Sequence, residues 1–249
     1  MRKTLISHFY NEEYLLPWFL NHHKKIFDHG IMIDYHSTDS SCDIIRTICP
    51  DWEIIKSKNQ YFDPQPVDNE VVEIESRIDG WKICLNVTEQ IIGNYEIMTT
   101  DGGQHLLPNF FFVDLTREEE LDYSIPLYYQ KKDGFAFFDN NGSLFSERCS
   151  RSIHTGTVSY PGAGRHFTHY TTDELVIFYY GWCPFNEKAI NRKLGMSVKV
   201  PEWISSGRHH TFPREWMEER HKNDFLPKTR NLENDIQKYI DIHNRLTEK

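Results

Sequence analysis

The chain has 249 residues, 39% hydrophobic and 14% aromatic, which is enough to build one sizeable core and too apolar for a disordered protein. A net charge of −9 at pH 7, with no basic run, excludes the phosphate-neutralising footprint that DNA or RNA binding needs. Five cysteines without CxxC spacing fit reduced thiols better than a disulfide framework, and the first apolar run is too short for a signal-peptide core or a membrane span, so the expected location is cytoplasmic, with any membrane attachment peripheral.

Residues 4–9 read as a buried strand, residues 14–27 as a helix and residues 30–33 as a second strand, because the apolar period switches from strand to helix and back. Leu15, Leu16, Phe19, Leu20, His23, Ile26 and Phe27 share one helix face, Pro17 sets the helix start near residues 13–16, and Gly30 ends the turn that follows. Strand, crossover helix and parallel strand form a right-handed βαβ unit, and its polar loops stand at the carboxyl ends of the strands, where open α/β sheets bind nucleotides. These loops are Asn11-Glu12-Glu13 and Asp34-Tyr35-His36-Ser37-Thr38-Asp39. Both have a structural alternative: Asn11 and Glu12 as caps of the first helix, and residues 37–39 as caps of the next.

A third strand is predicted at residues 52–55, a loop at 61–66, a helix at 67–79, and a buried strand at 80–89 with a polar tip at Asn86 to Glu89. In the second half, an apolar strand at 175–180 follows Ser152-Ile153-His154 and Tyr160-Pro161-Gly162-Ala163-Gly164-Arg165-His166. Gly181-Trp182-Cys183-Pro184-Phe185 and Ile190-Asn191-Arg192-Lys193-Leu194 come next, and Gly207-Arg208-His209-His210 closes the run. Two helices are expected over 213–249, the second with an apolar stripe at helical spacing. Asn86-Val87-Thr88 and Asn141-Gly142-Ser143 match the N-glycosylation pattern, which carries weight only for a secreted chain.

The ordered pair Phe9-Tyr10-Asn11-Glu12-Glu13-Tyr14-Leu15-Leu16-Pro17-Trp18 and Asp34…Ser37-Thr38-Asp39 resembles the N-terminal signature of family-2-like glycosyltransferases of the GT-A fold. The resemblance spans roughly residues 4–210. It implies a Rossmann-like α/β fold with a mostly parallel central sheet flanked by helices, a glycosyltransferase domain over 1–210, and C-terminal helices over 211–249 packed on the same domain. It departs from the family pattern at His36, where such enzymes usually carry Gly, and at Asn86 and Thr88, which stand where an Asp-x-Asp pair would hold a divalent ion. Asp101 in Thr99-Thr100-Asp101-Gly102-Gly103 is the rival placement for that pair, behind a poorer strand.

By this resemblance a nucleoside-diphosphate sugar, UDP- or GDP-linked, would be held by Asn11, Glu12, Asp34, Asp39, Asn86 and Thr88, with Arg165, Arg192 and Arg208 facing the diphosphate. Lys193 and the arginines have a bland reading as surface charges. Mn²⁺ or Mg²⁺ would fall to Glu89, His209 and His210, since neutral Asn86 and Thr88 are poor ligands for hard cations. Asp173 and Glu202 lead the candidates for catalytic base, with Glu174 and Asp114 behind them. The expected activity is transfer of a sugar, by an inverting course, to the hydroxyl of a glycan or glycoconjugate. A catalytically inactive nucleotide-sugar or glycan-binding protein is the second expectation. A nucleotidyltransferase is the third, disfavoured because no Gly-rich basic phosphate loop opens the chain.

Overall fold

The computed structural model describes residues 1–116, 120–138, 144–145, 151–161, 164–167, 169–204 and 208–248, with the backbone alone at 137–138, 144–145 and 208–209. Asn141, Gly142, Ser143, Cys149, Gly162, Ala163 and Gly207 lie outside the described residues, as do the side chains of Arg208 and His209.

In chain order the elements are β1 (Lys3–Phe9), α1 (Leu16–His23), β2 (His29–Asp34), α2 (Ser41–Ile48), β3 (Glu53–Lys56), α3 (Pro64–Glu75), β4 (Trp81–Asn86) and β5 (Glu89–Gly93). They continue as β6 (Gln104–Leu107), β7 (Asn109–Val113), α4 (Leu127–Gln130), β8 (Asp133–Phe135), β9 (Phe137–Phe138), β10 (Leu144–Phe145), β11 (Arg151–His154) and β12 (Leu175–Trp182). The last are α5 (Glu187–Gly195), α6 (Arg214–Arg220), β13 (Arg230–Asn231) and α7 (Glu233–Thr247).

The fold is mixed α/β, with a central six-stranded sheet in the order β3-β2-β1-β4-β11-β6. The pairs β3–β2, β2–β1 and β1–β4 are parallel, and β11 runs antiparallel to both β4 and β6. Side chains alternate across this sheet with period two, so each strand feeds two cores. Ile6, Ile33 and Cys84 pack on Val67 and Val71 of α3, while Leu5, Phe9, Met32, Ile83 and Leu85 join α1 in the larger core.

A second sheet, ordered β13-β8-β7-β12-β5, packs into that larger core together with Ile236, Tyr239 and Ile240 of α7. The strand predicted over 80–89 is β4 with its polar tip, and a further strand, not expected from the sequence, begins at Glu89. β4 stops at Asn86, the chain turns at Val87 and Thr88, and β5 leaves for the second sheet, where it pairs antiparallel with β12. Gly30 lies inside β2 rather than at the turn, with φ outside the left-handed region, and a Cβ there would meet the Trp52 ring at 2.2 Å. Among the described residues no helix is long and apolar enough to cross a membrane.

Candidate functional site

Register fixes the site. Phe9 of β1 pairs with Asp34 of β2, and His8 pairs with Asn86 of β4, so the carboxyl ends of these three strands meet at one edge. A cleft of about 420 Å³ opens there. It is lined by His8 at the end of β1, Tyr10 and Glu12 after it, Tyr35 after β2, Asn86 at the end of β4, and Val87 to Glu89 beyond it. The rest of the lining comes from Gly164 to His166, Tyr179 and Gly181 on β12, Arg192 and Lys193 on α5, and Lys199 and His210 beyond it.

The loops after β1 and β2 are tied together at this edge. The Asn11 side chain accepts from Thr38 N–H (2.8 Å) and donates to Thr38 Oγ1 (3.3 Å), and Asn11 N–H donates to Ser37 Oγ (3.1 Å). Asp34 Oδ1 accepts from Ser37 N–H at 2.8 Å, while Asp39 accepts from the amides of Glu13 and Ser41, each at 3.0 Å. Asn11, Asp34 and Asp39 are thus brought together as the scaffold of the edge, and they do not line the cleft itself. The capping alternative fails for Asn11 and Glu12, because α1 takes no side-chain cap and its first amides bond the Glu12 carbonyl. Asp39 does cap the first amide of α2.

Asn11, His36 and Arg165 adopt φ of 50°, 61° and 57° and are the non-glycine residues of positive φ among those described. All three stand in loops at this edge, where strained backbone collects around ligand sites. His36 takes the left-handed conformation that a glycine would adopt without cost.

The electrostatics are built from Arg–carboxylate pairs. Glu12, only 7% exposed, accepts from Arg192 Nη1 at 2.5 Å, and burial raises its carboxyl pKa against the pull of that arginine. Its second oxygen has no hydrogen bond in the described structure. Arg165 pairs with Asp68 of α3, whose other oxygen accepts from Gly164 N–H at 2.6 Å. Burial, with the fields of Arg165 and Arg151 behind it, holds His8 well below the usual imidazole value, and the same causes, burial first, hold His166 low.

Lys193 and Lys199 differ from these arginines. The Lys193 ammonium lies over the Trp182 ring at 4.3 Å from its centroid, and that of Lys199 over Tyr10 at 4.5 Å. Burial and then the neighbouring Arg192 push Lys193 down to about 7. Burial also lowers Lys199.

Glu89, expected as a metal ligand, is 1% exposed and occupied. Arg151 Nε donates to both of its oxygens at 3.1 and 3.0 Å, Arg151 Nη2 to Oε1 at 2.9 Å, and Asn86 N–H to Oε2 at 2.8 Å. Asn86 and Thr88 line the cleft as neutral groups, and His210 lines it in a T-shaped contact with Phe62, the ring centroids 5.3 Å apart. Among the described residues no three His, Cys, Asp or Glu stand close enough together to hold a metal ion. The donor set at the Asn86 loop therefore does not fit Mn²⁺ or Mg²⁺, which want several charged oxygens.

The expected bases are elsewhere. Asp173 is exposed two residues before β12, whereas the cleft touches Tyr179 and Gly181 near the strand's other end, about 20 Å along an extended chain. Glu202 is exposed and does not line the cleft. Glu174 bonds the Asn94 amide at 2.8 Å, also at that far end. Asp114 is buried and holds Lys131 (2.9 Å) and the Phe185 amide (2.7 Å), a role in holding the core together. Asp101 is exposed just before β6, where Thr100 accepts from Trp81 Nε1, at the amino end of β4 and so across the sheet from the cleft.

Sequence reasoning missed Arg151, Asp68, His8, His166 and Lys199. His166 stands in the run Tyr160 to His166, and Arg151 directly precedes Ser152-Ile153-His154; Asp68, His8 and Lys199 had no signal.

No known family profile matches the chain, and no curated protein matches it. Among solved structures, residues 1–349 of Staphylococcus aureus TarS are similar at 10% identity and a TM-score of 0.42, over 88% of this chain and 68% of that one. A complex of the same fragment with UDP-GlcNAc is similar at the same identity and TM-score. Glucosyl-3-phosphoglycerate synthase from Mycobacterium tuberculosis, with Mn²⁺, UDP and glucosyl-3-phosphoglycerate, is similar at 11% identity and a TM-score of 0.32, over 44% of each chain. This chain spans 42% of the longer TarS structure.

Proposed function

We propose that this protein is a glycosyltransferase that moves a sugar from a nucleoside-diphosphate donor to the hydroxyl of a glycan or glycoconjugate. The observation that carries this reading is the convergence of the loops after β1, β2 and β4 on one cleft that also gathers Arg165, Arg192, Lys193 and Lys199. Such an edge suits a ribonucleotide, and the cations suit the diphosphate that leaves. The N-terminal motifs Asn11-Glu12-Glu13 and Asp34…Asp39 resemble the GT-A signature and frame the same edge.

In the reaction the bond between the anomeric carbon and the diphosphate oxygen breaks as the acceptor oxygen bonds to that carbon, and the cations stabilise the charge that develops on the leaving group. The acceptor proton passes to a base. Of the carboxylates lining the cleft, Asp68 and Glu89 have both oxygens bonded, whereas Glu12 Oε2 has no hydrogen bond and its raised pKa suits proton transfer. We therefore place the base at Glu12 in preference to Asp173 and Glu202, with an inverting outcome.

The test is release of UDP or GDP from a panel of nucleotide sugars in the presence of glycan acceptors, with binding followed by calorimetry. Turnover that falls roughly 10²-fold or more in Glu12→Gln supports the assignment. Absence of both binding and turnover across the panel overturns it. Asn86 and Thr88, neutral where carboxylates were expected, favour the second reading of a binding protein without turnover, which donor binding with no nucleotide release would establish.

A further inference from the structure

We infer that the cleft holds its diphosphate with lysine and arginine side chains in place of a divalent metal ion. The inference rests on the nucleotide-sugar reading and deepens it. It begins with a charge balance among the described residues. Glu12, Asp68 and Glu89 line the cleft, and each is matched by one arginine, Arg192, Arg165 and Arg151 respectively. Lys193 and Lys199 are left over, each seated on an aromatic ring instead of a carboxylate. Asp34, whose field reaches Lys199, is itself bound to the Ser37 amide, and Glu12, whose field reaches Lys193, is held by Arg192. A diphosphate diester carries two negative charges, and the two lysines balance them.

The same residues exclude the usual arrangement. A divalent ion bridging a diphosphate needs charged oxygens from the protein, and the loop that would supply them presents an amide and a hydroxyl. Glu89, next in line, has accepted hydrogen bonds from Arg151 and Asn86 N–H on both oxygens. To bind an ion it would have to abandon a buried arginine that is 1% exposed, leaving that charge unpaired. An ammonium group is a compact point charge well suited to phosphate, and burial strengthens its attraction to an anion.

The experiment is calorimetric titration of the full chain with UDP and with GDP, in excess EDTA and again with Mn²⁺ or Mg²⁺. We expect the same affinity in both conditions, within about twofold. Lys193→Ala and Lys199→Ala should each weaken binding by about tenfold, and Lys193→Arg should retain it. Far-ultraviolet circular dichroism checks that the variants are folded. Binding that vanishes in EDTA and returns with Mn²⁺ overturns the inference while leaving the nucleotide reading intact, as does binding indifferent to loss of both lysines. No binding of either nucleotide in any condition overturns the nucleotide reading itself.

Discussion

Arg151 and Glu89, 62 residues apart, form a buried pair in which the arginine donates to both carboxylate oxygens while the pair sits at the turn between the two sheets. Glu89 opens β5 and Arg151 opens β11, so the contact locks the point where the chain passes from β4 in the first sheet to β12's neighbour in the second. Arg151 Nη1 also donates to the Gly164 carbonyl, which carries the same lock to the loop bearing Arg165.

Removing one member leaves the other buried and unpaired, which costs about 3–5 kcal/mol. Glu89→Gln and Arg151→Met should each lower the urea midpoint by a corresponding amount, with or without Mn²⁺. The double variant Glu89→Leu with Arg151→Met should recover part of the loss. If Glu89→Gln instead lowered stability only when Mn²⁺ was present, the glutamate would be acting as a metal ligand.

Gly30 is the second place where stability depends on one position. Its missing side chain makes room for the Trp52 ring, with no positive φ to explain the choice. Gly30→Ala should cost about 1–3 kcal/mol through overpacking, read from denaturant unfolding. Trp52→Leu in the same background should restore most of it. An alanine variant as stable as the parent would show that the tryptophan moves freely.

Local patterns made β1, α1, β2 and β3 legible, since each buries a face with a period visible in a few residues. The start of a second strand, β5, at Glu89, directly after the tip of β4, was not. The run from Trp81 to Gly93 is almost wholly buried in both sheets, and burial alone carries no mark of a change of partner. The ion pairs of the cleft were hidden for a different reason. Glu12 meets Arg192 across 180 residues and Asp68 meets Arg165 across 97, distances over which no spacing rule operates. Nothing in the sequence around Asp173 tells which end of β12 faces the cleft: the strand carries it away from Tyr179 and Gly181, which line it.

A histidine cluster gives the fold an acid limit. His22 and His243 stack at 4.7 Å, His23 meets His22 edge-on at 4.7 Å, and Tyr95 Oη lies 2.5 Å from His243 Nδ1. Tyr128 flanks the stack, and Lys25 is the nearby charge. Burial lowers all three histidines, His23 to about 3, His243 to about 4, and His22 well below its usual value. Their folded values lie below the unfolded 6.5, so between these limits the unfolded chain binds more protons. The stabilisation is therefore complete above about pH 6.5 and is lost as pH falls below it, by up to roughly 1.4 kcal/mol per unit for each histidine. Urea midpoints should fall between pH 7 and pH 5, and less steeply in His243→Phe. A flat profile in the parent would refute the assignment.

Lys193 makes the opposite kind of claim, about binding. Its value of about 7 in the free protein lies far below that of an ordinary lysine, because burial, then Arg192 and Arg220, disfavour the charge against the opposing pull of Glu12. A bound diphosphate favours the charged form and raises that value again. Above about pH 7 the free lysine is therefore mostly neutral, each binding event takes up a proton, and affinity falls by up to about tenfold per pH unit; below that it is flat. Titrations with UDP from about pH 6 to about pH 9, in two buffers of different ionisation heat, read the proton uptake directly. In Lys193→Arg the slope should disappear, since a guanidinium stays charged throughout this range. A slope that persists in the arginine variant would assign the titration to another group, and a pH-independent parent would mean that Lys193 does not touch the anion.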